Sequence, residues 1–283
     1  MNVGLFAIVS LILLGLIVHA RRRKRSETVR ERARALELVK LLRRLLEHTQ
    51  RHRGLSYGVM SGERILAGEQ WAAQQQVEDI LGEAQPYQAS IAWYDSWKEV
   101  VARWNDIQQI HQDSSAAEQV LLLHNDMIGH LIETIRSIAQ PNGLVPHGAL
   151  SAAPAGIWLE LLEHSELLGQ ARAIGTGIAA RRQNTASQRE ELARLRERLG
   201  KHPYECLAHL QADPELRPLV SQAVTDTERS LDLLMDLIDK LLAAAAGKSV
   251  HSAVYFRAAT QAISGLLALV DMLLNRLEPP NPA

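Results

Sequence analysis

Arg53-Gly54-Leu55-Ser56-Tyr57-Gly58 lies inside a long run of helix-forming residues. Arg172-Ala173-Ile174-Gly175-Thr176-Gly177 repeats its design 119 residues later. Each has an arginine with small residues one, three and five positions on. A glycine inside a helix costs roughly 1 kcal/mol relative to alanine. Helices that keep several beside an arginine therefore point to close approach of a second backbone. Gly54 and Gly58 are four apart, as are Ala173 and Gly177, and each pair forms one small face. Gly175 is three on from Arg172. Ser56, three on from Arg53, and Thr176, four on from Arg172, share a face with their arginine and carry a hydroxyl. If the two segments pack together, Arg53 and Arg172 meet as two planar donor forks, suited to a small planar anion. The competing arrangement pairs each arginine with a carboxylate, for which Glu47, Glu163 and Glu166 are available.

Outward from these motifs the chain reads as helix nearly everywhere. Hydrophobic residues make up 47% and charged residues 22%, enough apolar content for a real core. Aromatics are only 4%, no segment alternates between turn residues, and the fold class is all-α. A net charge of −1 argues against nucleic-acid binding by the whole chain. Cys206 is the single cysteine, so no intrachain disulfide forms, which fits a reducing compartment.

Residues 1–20 contain no charged side chain, and Arg21-Arg22-Arg23-Lys24-Arg25 follows. About 18 apolar residues span roughly 27 Å, close to the lower limit for crossing a bilayer. A signal peptide carries its positive charges before the apolar run; here they come after it. The expectation is a single-pass anchor in an inner (cytoplasmic) membrane, with 21–25 as a basic stop and the soluble body cytoplasmic.

Residues 26–140 then hold four helices. The first reaches Ser61 with a Leu38, Leu41, Leu42, Leu45, Leu46 stripe, and Gly62 ends it. The second spans 63–84 before Pro86. The third spans 87–111 and carries Trp93, Trp97 and Trp104, with Trp93 and Trp97 on one face. Ser114 and Ser115 cap the fourth. Residues 141–156 are rich in Pro and Gly and form a linker. Residues 157–278 repeat the count: one helix to Arg182, a second from a Thr185/Gln188 capping box to Ala212, a third from Asp213-Pro214 to about Ala246 with Gly247 closing it, and a fourth from Ser252 to Arg276. Residues 279–283 are a tail. The architecture expected is an N-terminal transmembrane helix and two antiparallel four-helix bundles, eight helices in all.

Gln50-Arg51-His52-Arg53-Gly54-Leu55-Ser56 resembles the QRERGLS signature of nitrate- and nitrite-sensing (NIT) domains. Leu168-Gly169-Gln170-Ala171-Arg172-Ala173-Ile174-Gly175 resembles the arginine motif opening the second half of that family, and Tyr255–Ile263 resembles its last helix. The resemblance covers roughly residues 30–277. It implies a helical receptor domain of two four-helix bundles that binds nitrate or nitrite between helices, with Arg53 and Arg172 as the anion-binding pair and Arg51 as a third candidate. His52 departs from the signature's glutamate. No effector module is expected after Arg276, and output is expected to pass to a protein partner, through an oligomer such as a homodimer, or through the anchor.

Other chemistry is poorly supported. His48 and His52 are four apart, but Arg51 and Arg53 disfavour a cation there and no further ligands accompany them. Cys206 has no identifiable base. No cofactor, metal or enzymatic activity is expected. The alternative function is a helical interaction protein on the same scaffold, using the Trp93/Trp97 face and indifferent to anions.

Overall fold

One helix, α1 (Val3–Met60), carries the chain from the apolar N-terminal segment through the basic run to the first arginine motif without a break. At 1.5 Å per residue its 58 residues span roughly 87 Å. The structure, a computed structural model, describes residues 3–110, 115–145, 156–243 and 250–278. Helix α1 stops just before Gly62, whose φ of +107° favours glycine. The expected leucine stripe is buried from Leu38 to Leu46.

Among the described residues the chain is all helical, with α2 (Ala67–Glu83), α3 (Gln88–Ile91), α4 (Asp95–Gln109), α5 (Ala117–Ala139), α6 (Ile157–Arg181), α7 (Ala186–Leu199), α8 (His202–Ala212), α9 (Arg217–Ala243) and α10 (Ser252–Arg276). That is ten α-helices among the described residues rather than eight, because two expected helices are broken. The third splits at residues 92–94, where Tyr94 is extended and its carbonyl accepts from the Trp97 N–H. Trp97 is thereby buried while Trp93 is 83% exposed, so they do not share a face. The sixth splits at Gly200 and Lys201. Pro203 has no N–H to give the preceding turn, and it sits instead in the first turn of α8, where none is required.

The Thr185/Gln188 capping box is present, with both reciprocal hydrogen bonds at 3.1 Å. Asp213 accepts from the backbone N–H groups of Glu215 and Leu216 ahead of α9. Ser115 does not cap α5, whose N-cap is Ala116 with no side-chain bond. Ser114, Gly247 and most of the 141–156 linker lie outside the described residues.

Helix α1 packs on α2 and α5, and α4 packs on α5. In the second half α10 packs on α6 and α9, with α7 and α8 covering α6 and α9. The halves meet where α1 lies against α6 and α10. Among the described residues α10 is long and apolar enough to cross a membrane, with a mean hydropathy of 1.4, but its buried residues from Tyr255 to Leu274 place it in the core.

Candidate functional site

The small residues of the two motifs bring α1 and α6 together in register. A Cβ on Gly54 would lie 3.2 Å from Arg172 Nε and 3.1 Å from Phe256 of α10. One turn on, a Cβ on Gly58 would lie 3.1 Å from the Thr176 methyl. A Cβ on Gly169 would lie 2.5 Å from Arg53 Nη2, and Tyr57 fills the space beside Gly177. These contacts advance in the same direction along both helices, so α1 and α6 run parallel here. Gly175 accommodates Tyr255 of α10, whose hydroxyl donates to the Ala171 carbonyl at 2.9 Å. Ala173 is fully buried.

Both arginines are buried, at 0% exposure for Arg53 and 2% for Arg172, but their partners differ. Arg53 donates through Nη1 and Nη2 to the two carboxylate oxygens of Glu166, at 2.6 and 3.0 Å. Nη1 also reaches Asn125 Oδ1 at 2.7 Å. Gln50 and Gln170 donate to Glu166 at 3.0 and 2.9 Å. This is a bidentate, charge-assisted network, the strong form of a buried ion pair. Of the other carboxylates weighed, Glu47 pairs with Arg43 and Glu163 with Arg136.

Arg172 makes no ion pair among the described residues. Its Nη1 donates to Thr260 at 3.0 Å and its guanidinium lies 5.1 Å from the Phe256 ring centre. Nε and Nη2 are buried without a hydrogen-bond partner. Those two nitrogens share one edge of the guanidinium, with parallel N–H bonds. Burial and the charges of Arg53 and Arg51 pull Arg172 down to about 9, still protonated at neutral pH. Thr176 Oγ1, Gln50 Oε1 and Arg53 Nε are likewise buried without a partner.

Arg51 and Ser56 stand apart from this pair. Arg51 is at the surface, paired with Glu69 at 3.1 Å. Ser56 belongs to a hydrogen-bond chain through the departure from the family signature, His52. His124 Nδ1 lies 2.7 Å from the Val120 carbonyl, which can only accept, so this nitrogen carries the proton. His52 Nδ1 then donates to His124 Nε2 at 2.8 Å, and His52 Nε2 accepts from Ser56, which accepts from Gln70. Every ring nitrogen has a partner with both rings neutral. Burial, opposed weakly by Glu78, lowers His52 to about 4. Burial and its neighbour His52 also lower His124. His52 thus ties α1 to α5 and α2 rather than supplying a charge.

Beside the arginines a cavity of about 400 Å³ is lined by Tyr57, Glu118, Asn125, Gln170, Ile174 and Gln188, among others. Asn125 and Gln170 belong both to its wall and to the Arg53–Glu166 network. Among the described residues no cluster of His, Cys, Asp and Glu could hold a metal ion. Burial and the neighbouring Glu160 push the Cys206 thiol up to about 12, away from nucleophilic use.

Thr260, Asn125 and Gly169 complete the site, although composition and spacing do not single them out. Gly169 and Thr260 fall within the second and third motifs. Asn125 sits in an unremarkable stretch of α5, and only folding brings it to Arg53.

The chain matches the nitrate and nitrite sensing family, NIT, over residues 44–278, and it belongs to that family. Among solved structures it is similar to that of the NasR transcription antiterminator, with a TM-score of 0.64 and 21% sequence identity over 94% of this chain and 73% of that one. A likeness at that identity establishes a common fold. No curated protein matches the sequence.

Proposed function

We propose that this member of the nitrate and nitrite sensing family binds nitrate or nitrite against Arg172, where α1 meets α6, and signals by rearrangement of those helices. The observation that carries this reading is the buried Nε–Nη2 edge of Arg172, which has no protein acceptor among the described residues. A buried charge without a partner costs several kcal/mol, and a bound anion offsets that cost. Nitrate and nitrite are small, planar and singly charged, and two of their oxygens suit two parallel donors. Arg53, neutralised by Glu166, fixes the helix contact. Thr176 offers a hydroxyl from the same face as Arg172, and Ser56 supports the wall through His52. Gly54, Gly58, Ala173, Gly175 and Gly177 let the helices and Tyr255 close around the site.

In this reading the two helix groups, residues 26–140 and 157–278, are antiparallel halves of four rods each, with α3 and α4 one broken rod and α7 and α8 another. Residues 1–20 anchor the chain in the inner membrane with the sensor in the cytoplasm, and α1 links anchor and site as one rigid rod. Anion binding at the α1–α6 contact then shifts α1 against the second half, and a partner protein or a second copy reads that shift. The sensor performs no catalysis.

Thermal unfolding of the full chain in detergent, titrated with sodium nitrate, nitrite, chloride and bicarbonate, tests the binding claim. A ligand that binds only the folded state adds about 2.7 kcal/mol at a hundredfold excess over Kd. Nitrate or nitrite is expected to raise Tm, and Arg172→Gln to remove the shift. No shift with any of the four anions at millimolar concentration would sink the reading. The bidentate pairing of Arg53 with Glu166 favours a second reading, a scaffold that binds no anion, and indifference in this same titration is its signature. A reporter fused after Ala283 tests topology, and extracytoplasmic activity overturns the cytoplasmic assignment.

A further inference from the structure

We infer that Glu166 is a specificity-determining residue: its fixed carboxylate limits the site to one singly charged anion and rejects divalent oxyanions such as sulfate. This rests on the binding site proposed above. Glu166 is held by four donors, two on Arg53 and one each on Gln50 and Gln170, between 2.6 and 3.0 Å. It is 7% exposed. Both Nη nitrogens of Arg53 are committed to Glu166 and Asn125, and only its Nε lacks a partner. Arg172, with two unpartnered nitrogens on one edge, is therefore the guanidinium that offers a ligand a bidentate contact.

The charge at the helix contact then decides which anions fit. Two buried guanidiniums and one buried carboxylate leave a single net positive charge. A monoanion brings the site to neutrality. A dianion leaves one uncompensated negative charge close to Glu166 and beside the buried Phe256 ring, where little water screens it. The remaining charged groups nearby do not alter this balance. Arg51 is exposed and paired with Glu69, and Arg43 is paired with both Glu47 and Asp271. Those carboxylates are 35 to 55% exposed, so solvent screens them.

The test compares sodium nitrate with sodium sulfate at matched ionic strength, by calorimetric titration and by Tm shift. Three versions of the full chain are used: wild type, Glu166→Gln and Asn125→Asp. Wild type is expected to respond to nitrate and not to sulfate. Glu166→Gln keeps the size of the side chain and raises the buried charge. It is expected to improve sulfate affinity relative to nitrate by at least about tenfold, since a unit charge a few ångströms away in a buried site is worth more than that. Asn125→Asp places a second carboxylate against Arg53. It balances the site from within, so a folded protein without a nitrate response is expected. A merely structural Glu166 would move stability but not the sulfate-to-nitrate ratio.

Sulfate binding to wild type as tightly as nitrate overturns the inference and leaves the proposed site standing. So does an unchanged ratio in Glu166→Gln. If Glu166→Gln does not fold, Asn125→Asp decides, and an undiminished nitrate response there overturns the inference. Wild type that binds neither of these anions, nor nitrite, chloride or bicarbonate in the titration above, removes the proposed site, and the inference with it.

Discussion

Arg53 of α1 lies across Gly169 of α6, so close that a Cβ on that glycine would stand 2.5 Å from Nη2. The relation is reciprocal, for Arg172 of α6 lies across Gly54 of α1, with a looser 3.2 Å to Nε. Each arginine uses the glycine of the opposing helix as its floor.

The two glycines are expected to differ in their tolerance of a methyl group. The Arg53 guanidinium cannot yield without losing Glu166 and Asn125. Gly169→Ala is therefore expected to destabilise by about 1–3 kcal/mol, as overpacking does. Gly54→Ala faces the edge of Phe256 and the less constrained Arg172, and it is expected to cost less. Urea unfolding of the two variants gives the order directly, and a reversed order contradicts the pinned geometry of Arg53.

Removing Glu166 leaves Arg53 as well as Arg172 without a counter-charge. Glu166→Ala is expected to cost about 3–5 kcal/mol, the usual loss when one partner of a buried pair is deleted. Arg51→Ala, at an exposed pair, is expected to cost less than about 1 kcal/mol. Equal losses for the two would mean that Glu166 is not buried as described.

Acid is expected to weaken the fold through the histidine pair. Both folded-state values lie below the ordinary 6.5, for burial penalises the charged rings. As pH falls below 6.5 the unfolded chain takes up protons that the folded chain refuses. Their contribution is therefore whole above 6.5. For His52 it is lost progressively down to about 4. Each histidine contributes at most about 1.4 kcal/mol per pH unit. The double variant His52→Gln/His124→Gln is expected to flatten Tm against pH in this window. An unchanged slope would assign the acid sensitivity to other groups.

The capping box at α7 is expected to contribute independently of the site. Thr185→Ala should lower stability by about 1 kcal/mol and leave any nitrate response intact. Loss of that response would mean that α7 is coupled to the arginines, through Gln188, whose side chain donates to Tyr57 at 2.8 Å.

Much of the fold is local and could be read from the chain. Helix-forming composition, the leucine stripe of α1, Gly62 and the Thr185/Gln188 box each act within a turn or two, so the residues suffice. The breaks at residues 92–94 and at Gly200 were less legible. The first depends on which of two nearby tryptophans, Trp93 or Trp97, the core accepts. The second turned on Pro203, readable as a first-turn residue only once α8 is seen to begin there.

By itself the sequence determined that two arginine motifs lie on matching helices, with small residues permitting close approach. It also determined that the chain resembles a nitrate- and nitrite-sensing family. Tertiary structure alone decided how the arginines divide their roles. Arg53 meets Glu166 from 113 positions away and Asn125 from 72, while Arg172 meets Thr260 from 88 away and keeps one donor edge unpartnered. Spacing along a helix fixes which face a side chain occupies. Which carboxylate reaches it is fixed by the register of packed helices, and that register is a property of the whole core.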